Sequence, residues 1–500
     1  MSNDDKPNNF NRKIASGLLW NSIMVMVSQG SSILVKLILA RLLVPEYFGL
    51  VGMAVVFTGL FKVINDSGFK PALIQRKSNQ LNDTHFSTVF WFSILFSLAL
   101  FTLVIFGIAP FTVWFYNEPE LYTVTIALSV ALLINPLNLI HRVILTRELN
   151  FKKIATATST ATVIASLISI ILALLGAGIW SIVFQSVAIP LITVPFLWGA
   201  TKWKPKFIFS ISALRSIFNF SIYTMGTSII YFFRNNVDYL LIGKLLSPHA
   251  VGLYTIVFLI TETTRSKIYS IINKVMFPIY SKIQDDKLQL KQYYLSTTKY
   301  NAIVTFPFFV FLMFFSYDIL NIFIGELWID AAFSLSILSL ASIIFAIAGT
   351  PSEILKAIGK PKYSFRIMLF NTLLIAIPLL YAGITYFGIN GAAVATLIHI
   401  TISRITFQKY MNKFIGVNIQ DIARVLVLPL YASLIPAILI KVIIIVLEIN
   451  IGVYSFIFIT VLFTTSYFAF VYVKIKNEII NIYKMSRDEN GENKSVKKFI

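Results

Sequence analysis

Residues 41–50, RLLVPEYFGL, return at 244–253 as KLLSPHAVGL. Five of the ten positions are identical, the first stays basic, and no gap is needed. Each copy places a proline where a helix can begin without losing a hydrogen bond. Four residues later comes a glycine, where that helix can approach a neighbour closely. A tight hairpin between two helices is the plain reading of such a turn. Its recurrence 203 residues on (244 minus 41) marks an internal duplication rather than a binding motif.

What is duplicated follows from composition. Of 500 residues, 57% are hydrophobic and only 13% charged, and the mean hydropathy is +0.79. A soluble chain of this length cannot hide so much apolar surface. Apolar runs of about 20 residues recur from end to end, each long enough to cross a hydrocarbon core of roughly 30 Å as a helix. The fold class expected is therefore an all-α polytopic membrane protein. Cysteine is absent, which excludes disulfides and cysteine metal sites, and the four histidines stand singly, so no cofactor and no metal is expected. The first apolar segment is too long for a signal peptide and reads as a retained helix.

Helices are predicted near 15–42, 46–68, 86–115, 120–145, 154–176 and 179–200. A second group follows near 213–235, 249–276, 296–325, 331–352, 364–387 and 391–413, and a last pair near 424–447 and 451–475, making fourteen transmembrane helices. Their connections alternate in chemistry. One set is basic, with Arg76 and Lys77, then Arg142, Arg147, Lys152 and Lys153, then Lys202, Lys204 and Lys206, and so on to the tail. The other set is short and neutral or acidic, as in YNEPE, LGAGI and GELWID. The positive-inside rule places the basic set and both termini in the cytoplasm. It also accounts for the net charge of +20 without invoking nucleic acid.

An offset of 203 residues spans six helices. An even number means that both copies enter from the same side, so the repeats are parallel. The expected layout is a cytoplasmic N-terminal segment (1–14), an N-lobe (15–200), a cytoplasmic linker (201–212), a C-lobe (213–413), an appended helix pair (424–475) and a cytoplasmic tail (476–500). The tail has too few apolar residues to build a core and is expected to be disordered or to lie along the membrane surface.

Several stretches in order, ASGLLWNSI, LARLLVPEYFGLVGMA, NNVDYLLIGKLLSPHAVGLYTIVFLI, INKVMFPIYSKIQDD and FIGELWIDAAFSLSILSLAS, resemble the polysaccharide-transport family of the multidrug/oligosaccharidyl-lipid/polysaccharide exporter superfamily, the Wzx-like flippases. The resemblance covers the core and is fainter over the last two helices. It implies a V-shaped pair of six-helix lobes around a cavity lined by helices 1, 2, 7 and 8. It further implies alternating access that carries an undecaprenyl-diphosphate-linked oligosaccharide across a bacterial cytoplasmic membrane, for O-antigen, capsule or exopolysaccharide. The implied partners are the lipid-linked oligosaccharide, membrane lipids, and a polysaccharide polymerase and glycosyltransferases.

Charges at membrane depth are costly and ask for a function. On the helices that the resemblance assigns to the cavity lie Lys36, Lys62, Arg234 and Arg265, and the repeat offset maps Lys62 onto Arg265. These four are the candidate ligands for diphosphate or sugar, because an anion crossing a low-dielectric cavity needs cations. The competing reading, that they snorkel to an interface, stays open. Lys441, outside the core, is assigned to snorkelling. Asp238 and Glu262 are candidates for holding a coupling ion, with pairing to Arg234 and Arg265 as the alternative. Asn135, Asn138, His141 and Arg142 are weaker candidates for touching sugar or a gate, and Tyr223, Tyr231, Tyr239 and Tyr254 for stacking on it.

An enzyme acting on lipid-linked sugar would need a sizeable extracytoplasmic loop or a cytoplasmic catalytic domain, and neither is seen. QDD at 284–286 is a poor metal-binding stub, and no phosphate-cradling motif is present, so no catalytic residue is assigned. A cation or drug antiporter of the same superfamily and a lipid II-type flippase remain as alternatives.

Overall fold

The computed structural model describes residues 30–67, 69–76, 81–348 and 350–488, and every described regular element is helical. The polar N-terminal segment, ASGLLWNSI and the end of the tail lie outside the described residues. Helix α1 is seen over 30–42 and turns at Leu43 and Val44 into α2 (Pro45–Ser67), so Pro45 takes the first helical position as its missing N–H predicts. A short helix (Phe69–Gln75) follows. Then come α3 (Asp83–Tyr116, with a π-helical turn at Val104–Ile108), α4 (Leu121–Arg147), α5 (Phe151–Leu174) and α6 (Ile179–Ala200). After an extended linker, α7 covers Ile211–Leu245, and α8 runs from Pro248 through a π-helical turn at Leu259–Thr263 to Lys282.

Helix α9 (Lys287–Phe314) leads to α10, whose main part is Ala332–Ala348. The helical stretch Pro361–Ile415 is divided at Gly388, whose φ of 59° no helix interior holds, into α11 before it and α12 after it. Gly383 and Gly391 bring the two halves together, because a methyl on Gly391 would overlap the Gly383 carbonyl. Helices α13 (Ile419–Val446) and α14 (Val453–Asp488) follow. The last helix runs past residue 475, so residues 476–488 of the segment expected as a cytoplasmic tail are helical.

Among the described residues ten helical stretches are long and apolar enough to cross a membrane. Helices α7 and α8 are not in that set; they carry Arg234, Asp238, Glu262 and Arg265, the charges singled out above. Residues up to Ile256 form one compact unit and those from Val257 a second.

Within lipid, helices gain little from hiding apolar surface, so small residues and backbone hydrogen bonds do the joining. In the first unit, α5 presents Ala157, Ala161, Ala165, Ser169 and Ala173 at four-residue spacing, all buried, and packs closely on α6. Ser169 donates to the Ser181 carbonyl (2.6 Å) and Gln185 to the Ser166 hydroxyl (3.0 Å).

Interior prolines strand a carbonyl four residues back, and such a carbonyl needs a new donor. Pro136 in α4 frees the Leu132 carbonyl, and the Asn65 amide of α2 donates to it (3.4 Å) while its oxygen accepts from Ser97 of α3 (3.1 Å). In the second unit Pro307 of α9 frees the Ile303 carbonyl, and the buried Tyr467 of α14 donates to it (2.7 Å).

Candidate functional site

The two copies of the opening turn meet each other. A methyl built on Gly49 would overlap the Pro248 carbonyl oxygen, and one on Gly252 would overlap the Pro45 carbonyl oxygen. Glycine is required at both places because backbone lies against backbone. Beside this double contact the Glu46 carboxylate and His249 Nδ1 lie 2.7 Å apart, both side chains roughly half exposed. Lys244, the counterpart of Arg41, donates to the Phe115 carbonyl at 2.5 Å and sits over the Phe115 ring. The sequence pattern predicted a close helix approach at these glycines, and the neighbour proves to be the other hairpin.

The predicted site residues fall into different settings. Lys36 is half-buried on α1, and Lys62 is exposed on α2. One turn after Lys62, Asp66 shares its field with Lys62, Lys70 and Arg142. Arg234 lies 6.0 Å from the centroid of Tyr231. Asp238 accepts a hydrogen bond from Tyr254 (2.9 Å), and Tyr239 packs edge-on against Tyr254.

Arg265 is 7% exposed and enclosed. Its guanidinium pairs with Glu262 and lies 3.9 Å from the centroid of Phe345 on α10, which Tyr269 meets edge-on. Lys62 and Arg265, equal in repeat register, are thus opposite in environment.

Other expectations change. Lys441 does not snorkel; it pairs with Asp318 in the short helix Ser316–Ile319 that follows α9 (2.9 Å), since an acid at that depth offers a nearer partner than the interface. Asn138 donates to the Pro190 carbonyl (2.9 Å), and buried His141 contacts Thr201 (2.5 Å) between Trp198 and Trp203. Both help to hold α4 to α6 and the linker that follows it. Tyr254 is buried, whereas Tyr231 is exposed; the side chain of Tyr223 lies outside the described residues. Among the described residues no cluster of three or more His, Asp or Glu is placed to hold a metal.

Two features escaped the sequence reading. Phe345 carried no signal among 44 phenylalanines. Lys70, on the short helix beyond the predicted end of helix 2, carried no signal; its spacing of four from Asp66 and eight from Lys62 is the pattern that could have found it.

The polysaccharide biosynthesis protein family matches residues 38–333. The chain is 25% identical to the teichuronic acid biosynthesis protein TuaB of Bacillus subtilis (strain 168), over 71% of this chain and 73% of that one. It is 24% identical to the lipopolysaccharide biosynthesis protein WzxC of Escherichia coli (strain K12), over 84% and 86% respectively. Among solved structures, the lipid II flippase MurJ in an inward closed conformation superposes with a TM-score of 0.73 at 18% identity, covering 92% of this chain and 99% of that one. That likeness shows the fold.

Proposed function

Because the chain belongs to the polysaccharide biosynthesis protein family, we propose that it is a flippase rather than an enzyme, moving lipid-linked oligosaccharide units across the cytoplasmic membrane for surface polysaccharide assembly. The observation that carries this reading is the family match over 38–333, on an all-helical chain whose relatives include a lipopolysaccharide and a teichuronic acid biosynthesis protein. The substrate is an oligosaccharide on a polyprenyl diphosphate, with a wet sugar, an anionic linker and an apolar tail. Fourteen transmembrane helices in two parallel repeats plus an appended pair, with both termini cytoplasmic, fit the alternation of basic and neutral connections. On this topology the joined hairpins face the outside, and their parting releases the sugar.

The enclosure of Arg265 narrows the substrate-binding set. Its charge is matched by Glu262, so the pair serves as a structural clamp on α8. Lys62, exposed and accompanied by further cations, is the stronger ligand for the anionic linker.

Deleting the gene and restoring it on a plasmid tests the reading. Surface polysaccharide should vanish and lipid-linked units accumulate on the cytoplasmic side, with both reversed by the plasmid. Unchanged surface polysaccharide in the deletion strain overturns it.

A further inference from the structure

We propose that Lys62, Lys70 and Arg142 form a phosphate-binding cluster around Asp66, at the basic end of α2 and α4. The inference rests on the flippase reading only for its choice of a diphosphate probe.

The frame is fixed on two sides. Asn65, next to Asp66, is tied to the Leu132 carbonyl and to Ser97. The helix Phe69–Gln75, which carries Lys70, packs Phe69, Ala72 and Leu73 against Leu139, Ile140 and Val143, the neighbours of Arg142. Its last turn is strapped down by Arg147, whose guanidinium donates to the carbonyls of Leu73 (2.7 Å), Ile74 (3.1 Å) and Arg76 (2.7 Å). Arg142 itself donates to Thr158 of α5 at 3.3 Å, which leaves further N–H donors on its fork.

Charge is not balanced inside this frame. All three cations lie within electrostatic reach of the Asp66 carboxylate, and Lys70 and Arg142 within reach of each other. Among the described residues nothing hydrogen-bonds to the Asp66 carboxylate, and neither Lys62 nor Lys70 is in an ion pair. Three positive charges sharing one acid leave two unmatched. Like charges held together near a low-dielectric region are relieved by an anion.

A phosphate or diphosphate ester suits this set of donors. Arginine binds phosphate oxygens with two N–H groups, and lysines supply point charges around it. Lys62 is exposed and open to an approaching headgroup. The same chemistry is offered by the diphosphate of a lipid-linked sugar and by the headgroup of an anionic phospholipid.

The test uses the full chain in phosphatidylcholine nanodiscs, titrated with a short polyprenyl diphosphate. Lys70→Ala and Arg142→Gln should each weaken binding about tenfold, the worth of one charge-assisted contact. Asp66→Asn should tighten it about fivefold, because it removes the one repelling charge, and a gain cannot arise from misfolding. Discs containing phosphatidylglycerol separate the sources. If that lipid competes with the probe on the wild type but not on Arg142→Gln, the cluster holds a bilayer headgroup. If it does not compete, the cluster holds the substrate's diphosphate. Equal affinity of the wild type and all three variants, or weakening by Asp66→Asn, overturns the proposal. Should the variants behave as expected while plasmid complementation fails, the flippase reading alone falls. Should complementation succeed while all variants bind alike, the cluster alone falls.

Discussion

Glu46 and His249 occupy the same position of a turn that occurs twice, 203 residues apart, and their side chains meet at 2.7 Å. The glycines three residues further on each lie against the other turn's proline carbonyl. A duplicated sequence has therefore become a contact with itself, in which each copy supplies what the other needs.

Absence of natural cysteine makes that contact directly measurable. The double variant E46C/H249C should cross-link with a short bismaleimide in membranes. Adding Gly49→Ala should cut the yield several-fold, because a methyl has no room beside a backbone carbonyl and overpacking of this kind costs about 1–3 kcal/mol. Undiminished cross-linking would mean that the hairpins do not rest on their glycines.

The ion pair itself should matter less than the glycines. Both side chains are roughly half exposed, and such pairs contribute about 1 kcal/mol or less. Glu46→Ala should lower export by no more than about fivefold, and the exchanged pair E46H/H249E should recover it. A complete loss of export in Glu46→Ala would assign the carboxylate a role beyond latching.

Arg265→Ala should damage the protein, not only its transport. The substitution leaves Glu262 without its partner and empties the face of Phe345. Removing one member of a fully buried pair costs about 3–5 kcal/mol, and because the Glu262 side chain is 30% exposed the loss here should fall below that range. The double variant E262A/R265A should be clearly more stable than Arg265→Ala in a thermal-melting assay of purified protein. If the single variant melts like the wild type, the clamp reading is wrong.

Tyr467→Phe removes the donor that satisfies the Ile303 carbonyl freed by Pro307. An orphaned buried carbonyl costs about 1–3 kcal/mol, and restoring Pro307→Ala in the same chain should return most of it. Melting of the three variants decides the matter; additive losses would show that hydroxyl and proline are unrelated.

Much of the fold was legible in advance because membrane helices write their length locally. Runs of about 20 apolar residues need no knowledge of neighbours. The short polar stubs between helices, the paired turns and the family's ordered stretches belong to the same local record. The charges were a different matter. Arg265 and Glu262 were readable as a pair because they share one helix at a spacing of three. Lys441 was misassigned, since its partner Asp318 lies 123 residues away on another helix. Phe345 and Lys70 carry no local signal for the same reason: one is a ring among many, the other a lysine on a short helix next to a basic loop.

The sequence by itself determined that this chain is a helical membrane protein with a duplicated turn, and it pointed to its family. The tertiary structure decided what each polar group does: which proline-freed carbonyl Asn65 and Tyr467 serve, that Arg265 is closed in while Lys62 stays open, and that the two turns touch. The division is physical. Crossing a bilayer is a property of each segment against its solvent, whereas the fate of a charge or a stranded carbonyl at membrane depth is set by whichever distant side chain packing brings within about 3 Å.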